Sequence, residues 1–145
     1  MDALTKTGWI LYQVLANLVG PPAAAAAGLS GRFSGRWSER LGLADHPGQV
    51  GDDLFWFHAA SVGETRSAAV VIQNLLEFNP AVQVALSVGT PAGLDTAETL
   101  FKNCDSVSVM AAPYDFWASP ARTVKALQPK ALIIWETELW PNLIA

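Results

Sequence analysis

A chain of 145 residues has the size of one domain with a real core, and its formal net charge of -4 excludes the basic field that a nucleic acid partner would favour. A single cysteine, Cys104, excludes an internal disulfide framework and any multi-cysteine metal site, which suits a reducing cytosol. At 51% hydrophobic and 15% charged, against about 25% charged in an ordinary soluble domain, the chain carries apolar sequence beyond the needs of a core.

Much of that excess lies at the front. From Thr7 to Gly31 no residue carries a charge. A membrane-spanning helix needs roughly 20 apolar residues, and this stretch reaches that length only by reading through Gly20, Pro21 and Pro22. Adjacent prolines continue a helix poorly, so a short buried or interfacial helix before them is expected. Lys6, an apolar core and an Ala-rich run also resemble a signal peptide; a retained membrane anchor is the first reading and a cleaved signal the second. In "SGRFSGRWSERLGL" (30–43), Phe33, Trp37 and Leu41 recur every four residues beside Arg32, Arg36 and Arg40. As a helix this pairs an apolar with a basic stripe, a form that suits a membrane surface on the cytoplasmic side. The same residues also fit an arm packed on the domain. Gly31 and Gly35 weaken the helix by about 1 kcal/mol each relative to alanine.

"HPGQVGDD" (46–53) is a polar connector, dividing a membrane-associated segment at 1–45 from a folded domain at 52–145. After it, "LFWFHAA" reads as a strand and Thr65 to Phe78 as a helix. "VQVALSV", "SVSVMAA" and "ALIIW" repeat the strand signal, and "GLDTAETLFKN" and "SPARTVKALQ" the helical one, the latter with Ser119 as N-cap before Pro120. The order β-α-β-α-β-α-β predicts an α/β fold with an open, parallel, Rossmann-like sheet and helical crossovers. Neither GxGxxG nor GxxxxGK[ST] occurs, so no dinucleotide or P-loop site is indicated.

Ligands of such sheets bind beyond the carboxyl ends of the strands. The first strand leads into Ser61, Gly63 and Glu64, the second into Thr90, Pro91 and Gly93, the third into Asp115, and the fourth into Glu136 and Glu138. Ser61-Val62-Gly63-Glu64 fits a capping box, with Ser61 on the N3 amide and Glu64 reaching back to the Ser61 amide. Glu64 is equally a candidate base if burial or a second carboxylate, Glu136 or Glu138, stands beside it. His58 and Trp56 share one face of their strand and Phe55 and Phe57 the other, so a core histidine is expected. Neither His58 nor His46 has the spacing of a metal ligand. Asp115 reads as a turn cap or, with Glu136 and Glu138, as one side of a cation site that no motif spacing supports.

"HAASVGE", "GTPAG", "PYD" and "ETELWPN", in this order between strands and after "ERLG" (39–42), resemble the N-terminal domain of the 3-deoxy-D-manno-octulosonic acid (Kdo) transferases of bacterial lipopolysaccharide synthesis. The likeness covers nearly the whole chain and departs from the usual Thr-rich turn at Ser87 and Gly89. It implies the N-terminal half of a GT-B glycosyltransferase, preceded by a membrane-associated helix at the cytoplasmic face of the bacterial inner membrane. Such an enzyme transfers Kdo from CMP-Kdo to the lipid A precursor with inversion and with no cofactor or metal. The family's general base maps onto Glu64 and its second acidic position onto Glu136. Ser61, Gly63, Thr90, Gly93, Asp115, Glu138 and Arg66 are then expected around the acceptor. The donor side belongs to a C-terminal domain, so this chain alone is expected to be inactive. The alternative is a non-catalytic membrane-tethered domain that grips a phosphorylated lipid through Arg32, Arg36, Arg40 and Arg66.

Overall fold

A computed structural model of the chain describes residues 3–29, 36–45, 53–116, 118–136 and 140–144, without the side chains of 3–5 and 27–29. In chain order the elements are α1 (Ala3–Leu29), α2 (Trp37–Arg40), β1 (Leu54–Ala59), α3 (Val62–Phe78), β2 (Gln83–Val88), α4 (Pro91–Leu100), β3 (Val107–Ala111), α5 (Ala118–Leu127) and β4 (Ala131–Ile134). The four strands form a parallel sheet, as the alternation of strand and helix predicts, and their order is β3-β2-β1-β4. The first three strands step in one direction, and the chain then returns to lay β4 on the other side of β1. That reversal makes the β1/β4 boundary the topological switch point of the sheet.

The alternation in β1 sorts its side chains as expected. Phe57 joins Ala69 and Ile72 of α3 and Leu94, Ala97 and Phe101 of α4 in one core layer. Leu54 and Trp56 face the other way, onto Leu127 of α5, Met110 and Leu143. His58 is a core histidine on that second face. Its Nδ1 lies 2.9 Å from the Ser87 hydroxyl, which also accepts the Trp56 indole N–H at 2.8 Å. Ser87 is therefore a buried β2 residue that satisfies two ring nitrogens, and it lies before the turn at Gly89 and Thr90.

β3 is an edge strand, and unpaired strand edges invite other chains. The α2 turn covers this one with charged side chains: Glu39 accepts the Ala111 N–H at 2.6 Å and Arg36 donates to the Val109 carbonyl at 2.6 Å. Arg36 also pairs with Glu39 at 2.8 Å and with Glu98 of α4 at 2.6 Å. The basic stripe expected of a surface-binding helix is thus corrected for its two described arginines. Arg36 is held at the sheet edge by Glu39, Glu98 and the Val109 carbonyl, and Arg40 is 4% exposed and donates to the Gly89 carbonyl. Arg32 and most of the expected connector (46–52) lie outside the described residues.

α1 runs through Pro21 and Pro22 rather than ending before them. The alanine run beyond has the highest helix propensity of any residue type, and the helix is braced where Gly20 lets the Phe116 ring approach closely; a Cβ there would lie 3.1 Å from it. Among the described residues no helix is long and apolar enough to cross a membrane. α5 begins one residue before the expected cap, leaving Ser119 buried inside it.

Candidate functional site at the strand ends

The end of β1 is a capped turn built around Glu64. Ser61 adopts extended dihedrals and its hydroxyl accepts the Glu64 N–H at 3.3 Å, the capping bond expected of it. The return bond differs from expectation. Glu64 reaches one residue further back and accepts the Ala60 N–H at 2.6 Å, while the Ser61 hydroxyl donates to its other oxygen at 3.0 Å. A half-buried carboxylate is thereby fixed in one rotamer with lone pairs still open, since an ionised carboxylate accepts about four hydrogen bonds. A Cβ on Gly63 would meet the Ser61 hydroxyl in ordinary contact, at 4.0 Å.

The β2 end is stapled to this turn. Gly89 and Thr90 donate to the Ala59 and Ala60 carbonyls at 3.0 and 3.1 Å. Thr90 caps α4 through the Gly93 N–H at 3.3 Å. A Cβ on Gly93 would lie 2.6 Å from Val88 and 3.4 Å from the Ser61 backbone, so glycine here lets the start of α4 approach the Glu64 turn. Together Ser61, Gly63, Glu64, Thr90 and Gly93 meet at one place.

β4 completes the switch point. Its register places Ile134 beside His58, and Trp135 donates its N–H to the His58 carbonyl at 2.9 Å, so Glu136 leaves the sheet next to the Glu64 turn. Glu136 is exposed and has φ 62, a left-handed conformation that costs a non-glycine residue of order 1 kcal/mol or more. Strain of that kind clusters at functional sites. Glu136→Gly is therefore expected to hold or raise the unfolding midpoint by thermal denaturation; a fall would mean that the side chain stabilises the fold.

The remaining candidates lie elsewhere. The Asp115 carboxylate is buried among Tyr12, Asn142 and Leu143, Arg66 stands beside Asp95 and Thr96 on the outer flank between α3 and α4, and Glu138 lies outside the described residues. Arg36, Arg40 and Arg66 do not converge, which removes the described part of the lipid-gripping arginine cluster. Among the described residues no three His, Cys, Asp or Glu side chains gather as a metal site.

Beside the Glu64 turn lies a cavity of about 370 Å³, reached from the strand ends and lined by Arg40, His58, Ala60, Thr90, Tyr114 and Trp140 among others. Arg40 donates to the Gly89 carbonyl at 3.3 Å and sits over the Tyr114 ring at 5.4 Å. Burial lowers its guanidinium from the ordinary value, with Tyr114 and Glu39 acting in the opposite sense. Sequence reasoning singled out Asp115 in "PYD" and passed over Tyr114. The basic-stripe reading turns Arg40 outward, whereas its contacts with Gly89 and Tyr114, just beyond β2 and β3, bring it into this wall.

The chain matches the family model described as 3-deoxy-D-manno-octulosonic-acid transferase (kdotransferase) over residues 35–145. It is 35% identical over 115 residues to the 3-deoxy-D-manno-octulosonic acid transferase of Haemophilus influenzae, covering 79% of this chain and 26% of that protein. The corresponding transferase of Bordetella pertussis is 36% identical over 93 residues, 62% of this chain and 21% of that protein. That of Chlamydophila psittaci is 28% identical over 150 residues, 97% of this chain and 33% of its own length. The chain thus spans about a fifth to a third of the length of these relatives. No solved structure matches it.

Proposed function

The chain belongs to the 3-deoxy-D-manno-octulosonic-acid transferase family, and from that premise we propose that it is the acceptor-side domain of an inverting GT-B Kdo transferase with Glu64 as general base. The supporting observation is the Glu64 carboxylate, fixed by the Ala60 amide and the Ser61 hydroxyl at the β1/β4 switch point. A poorly nucleophilic alcohol needs a carboxylate within hydrogen-bond reach to take its proton as the new bond forms. In the proposed step the acceptor hydroxyl gives its proton to Glu64. Its oxygen bonds to the anomeric carbon of Kdo, and the bond from that carbon to the CMP phosphate breaks, releasing CMP. Glu136 shapes the opposite side of the switch point. The acceptor is the lipid A precursor, its sugar lying over the cavity beside Ala60 and Thr90. The donor, CMP-Kdo, is held by the second domain of the GT-B pair, which supplies the groups that stabilise the departing phosphate.

The site of action is the cytoplasmic face of the bacterial inner membrane, reached through α1. That helix docks by Tyr12, Gln13, Ala16, Gly20 and Ala24, and turns Ile10, Leu11, Val14, Leu15, Leu18 and Val19 outward, Leu18 being 69% exposed. A helix that hides its small residues and exposes its large apolar ones has the reverse of the usual amphipathic orientation, and a lipid surface is the environment that such a face suits. Burying one leucine is worth about 1.5–3 kcal/mol, so the double variant Leu15→Asp/Leu18→Asp is expected to lower co-sedimentation with phospholipid vesicles by about tenfold or more. Unchanged co-sedimentation would remove α1 from the membrane contact.

The reading as a whole is tested by incubating the full-length transferase that carries this domain with CMP-Kdo and the lipid A precursor. Mass spectrometry should detect the addition of Kdo. No product, or product only from a different sugar nucleotide, would refute it.

A further inference from the structure

The polar contacts that hold α1 to the sheet domain converge on one buried carboxylate. Asp115 is 8% exposed. Its Oδ2 accepts the Tyr12 hydroxyl and, at 3.2 Å, the Asn142 N–H; its Oδ1 accepts the Leu143 N–H at 2.9 Å. The Asn142 side-chain amide donates to the Asp115 carbonyl at 2.8 Å and accepts from Gln13 of α1. Segments 103 and 27 residues away in sequence thus meet on Asp115. Burial, and then the hydrogen bond to this carboxylate, push the Tyr12 hydroxyl well above its ordinary value, so it remains a proton donor.

The turn that Asp115 holds is also a wall of the strand-end cavity. Trp140, two residues before Asn142, lines the cavity beside Ala60 and Thr90 together with Tyr114. The same two rings line a second cavity of about 290 Å³, to which Ala16 and Gly20 of α1 also contribute. Tyr114 and Trp140 therefore stand between the helix and the site, and the Asp115 network fixes both of their segments.

We propose that Asp115 is a positioning residue: with Tyr12 and Asn142 it sets the Trp140–Leu143 turn relative to the lipid surface that α1 meets, so that lipid engagement of α1 tightens the turn at the site. This rests on the lipid-facing reading of α1 and is independent of whether Kdo is the sugar transferred. A partner that binds only the docked arrangement stabilises it, and the network is the physical connection through which that stabilisation reaches the turn.

Amide hydrogen exchange of this chain, with and without phosphatidylethanolamine/phosphatidylglycerol vesicles, tests it. In the wild type the Asn142 and Leu143 amides, both donors to Asp115, are expected to exchange about fivefold slower or more when vesicles are added. Tyr12→Phe keeps the ring and removes only the donor. In that variant α1 should gain the same protection from vesicles while the two turn amides gain none. Equal vesicle-induced protection of the turn in both proteins, or none in the wild type while α1 is protected, would overturn the proposal. Vesicles that protect neither segment would overturn it together with the lipid reading of α1, and would leave the Kdo transfer assay as a separate question.

Discussion

Glu64→Gln is expected to slow Kdo transfer by about 10²–10⁴-fold with the fold intact. The substitution separates the two roles of the residue. An amide oxygen still accepts the Ala60 N–H, and the other end of the amide still meets the Ser61 hydroxyl. Glutamine is as good as glutamate at this capping-box position, so the loss in stability should stay below about 1 kcal/mol. Proton acceptance does not survive the change. Kinetics at saturating donor and acceptor, together with a thermal unfolding curve, distinguish a lost base from a lost cap. A variant with normal turnover would reduce Glu64 to a helix cap.

The second large effect is on stability. Gly42 follows the α2 turn with φ 65, and a Cβ added there would lie 2.4 Å from the Ser119 carbonyl oxygen and 2.9 Å from Arg122. Gly42→Ala combines a left-handed backbone, about 1–2 kcal/mol for a residue with a side chain, with overlap against backbone, about 1–3 kcal/mol. A total of about 3 kcal/mol is a large part of a typical domain stability of about 5–15 kcal/mol. In urea unfolding the midpoint should fall by about 1 M or more. An unchanged midpoint would mean that the α2 turn contributes little to the fold. This accounts physically for three positions of the "ERLG" segment: Glu39 covers the β3 edge, Arg40 enters the cavity wall, and Gly42 lets the turn lie against α5.

What the sequence discloses follows the range of the interactions. The split of Phe57 from Trp56 and His58 was legible because strand alternation is local, and the Ser61 and Thr90 caps were legible because a cap spans three residues. The order of the strands was not. Periodicity gives four parallel strands without saying that β4 returns to β1, and that return creates the switch point between Glu64 and Glu136. The three donors on Asp115 were hidden for the same reason, since they come from α1 and from the last turn. Local proline cost predicts an end before Pro21 and Pro22, whereas α1 runs through them, and its Phe116 contact at Gly20 is too distant in sequence for a local pattern to show. A stripe on a helix does not reveal which side meets the domain, so the surface-facing and domain-packed readings of Arg40 stay open in the sequence and its burial decides for the second. The left-handed dihedral at Glu136 leaves no mark in composition or spacing.

The central assignment is that Glu64, and not Glu136, takes the acceptor proton. Its most direct test is chemical rescue in the full-length transferase. Formate added to Glu64→Ala should restore transfer in a saturable way, because a small carboxylate can occupy the place of the missing one beside Ala60 and Ser61, and it should not restore Glu136→Ala. Rescue of Glu136→Ala alone, or wild-type transfer by Glu64→Ala without formate, would contradict the assignment.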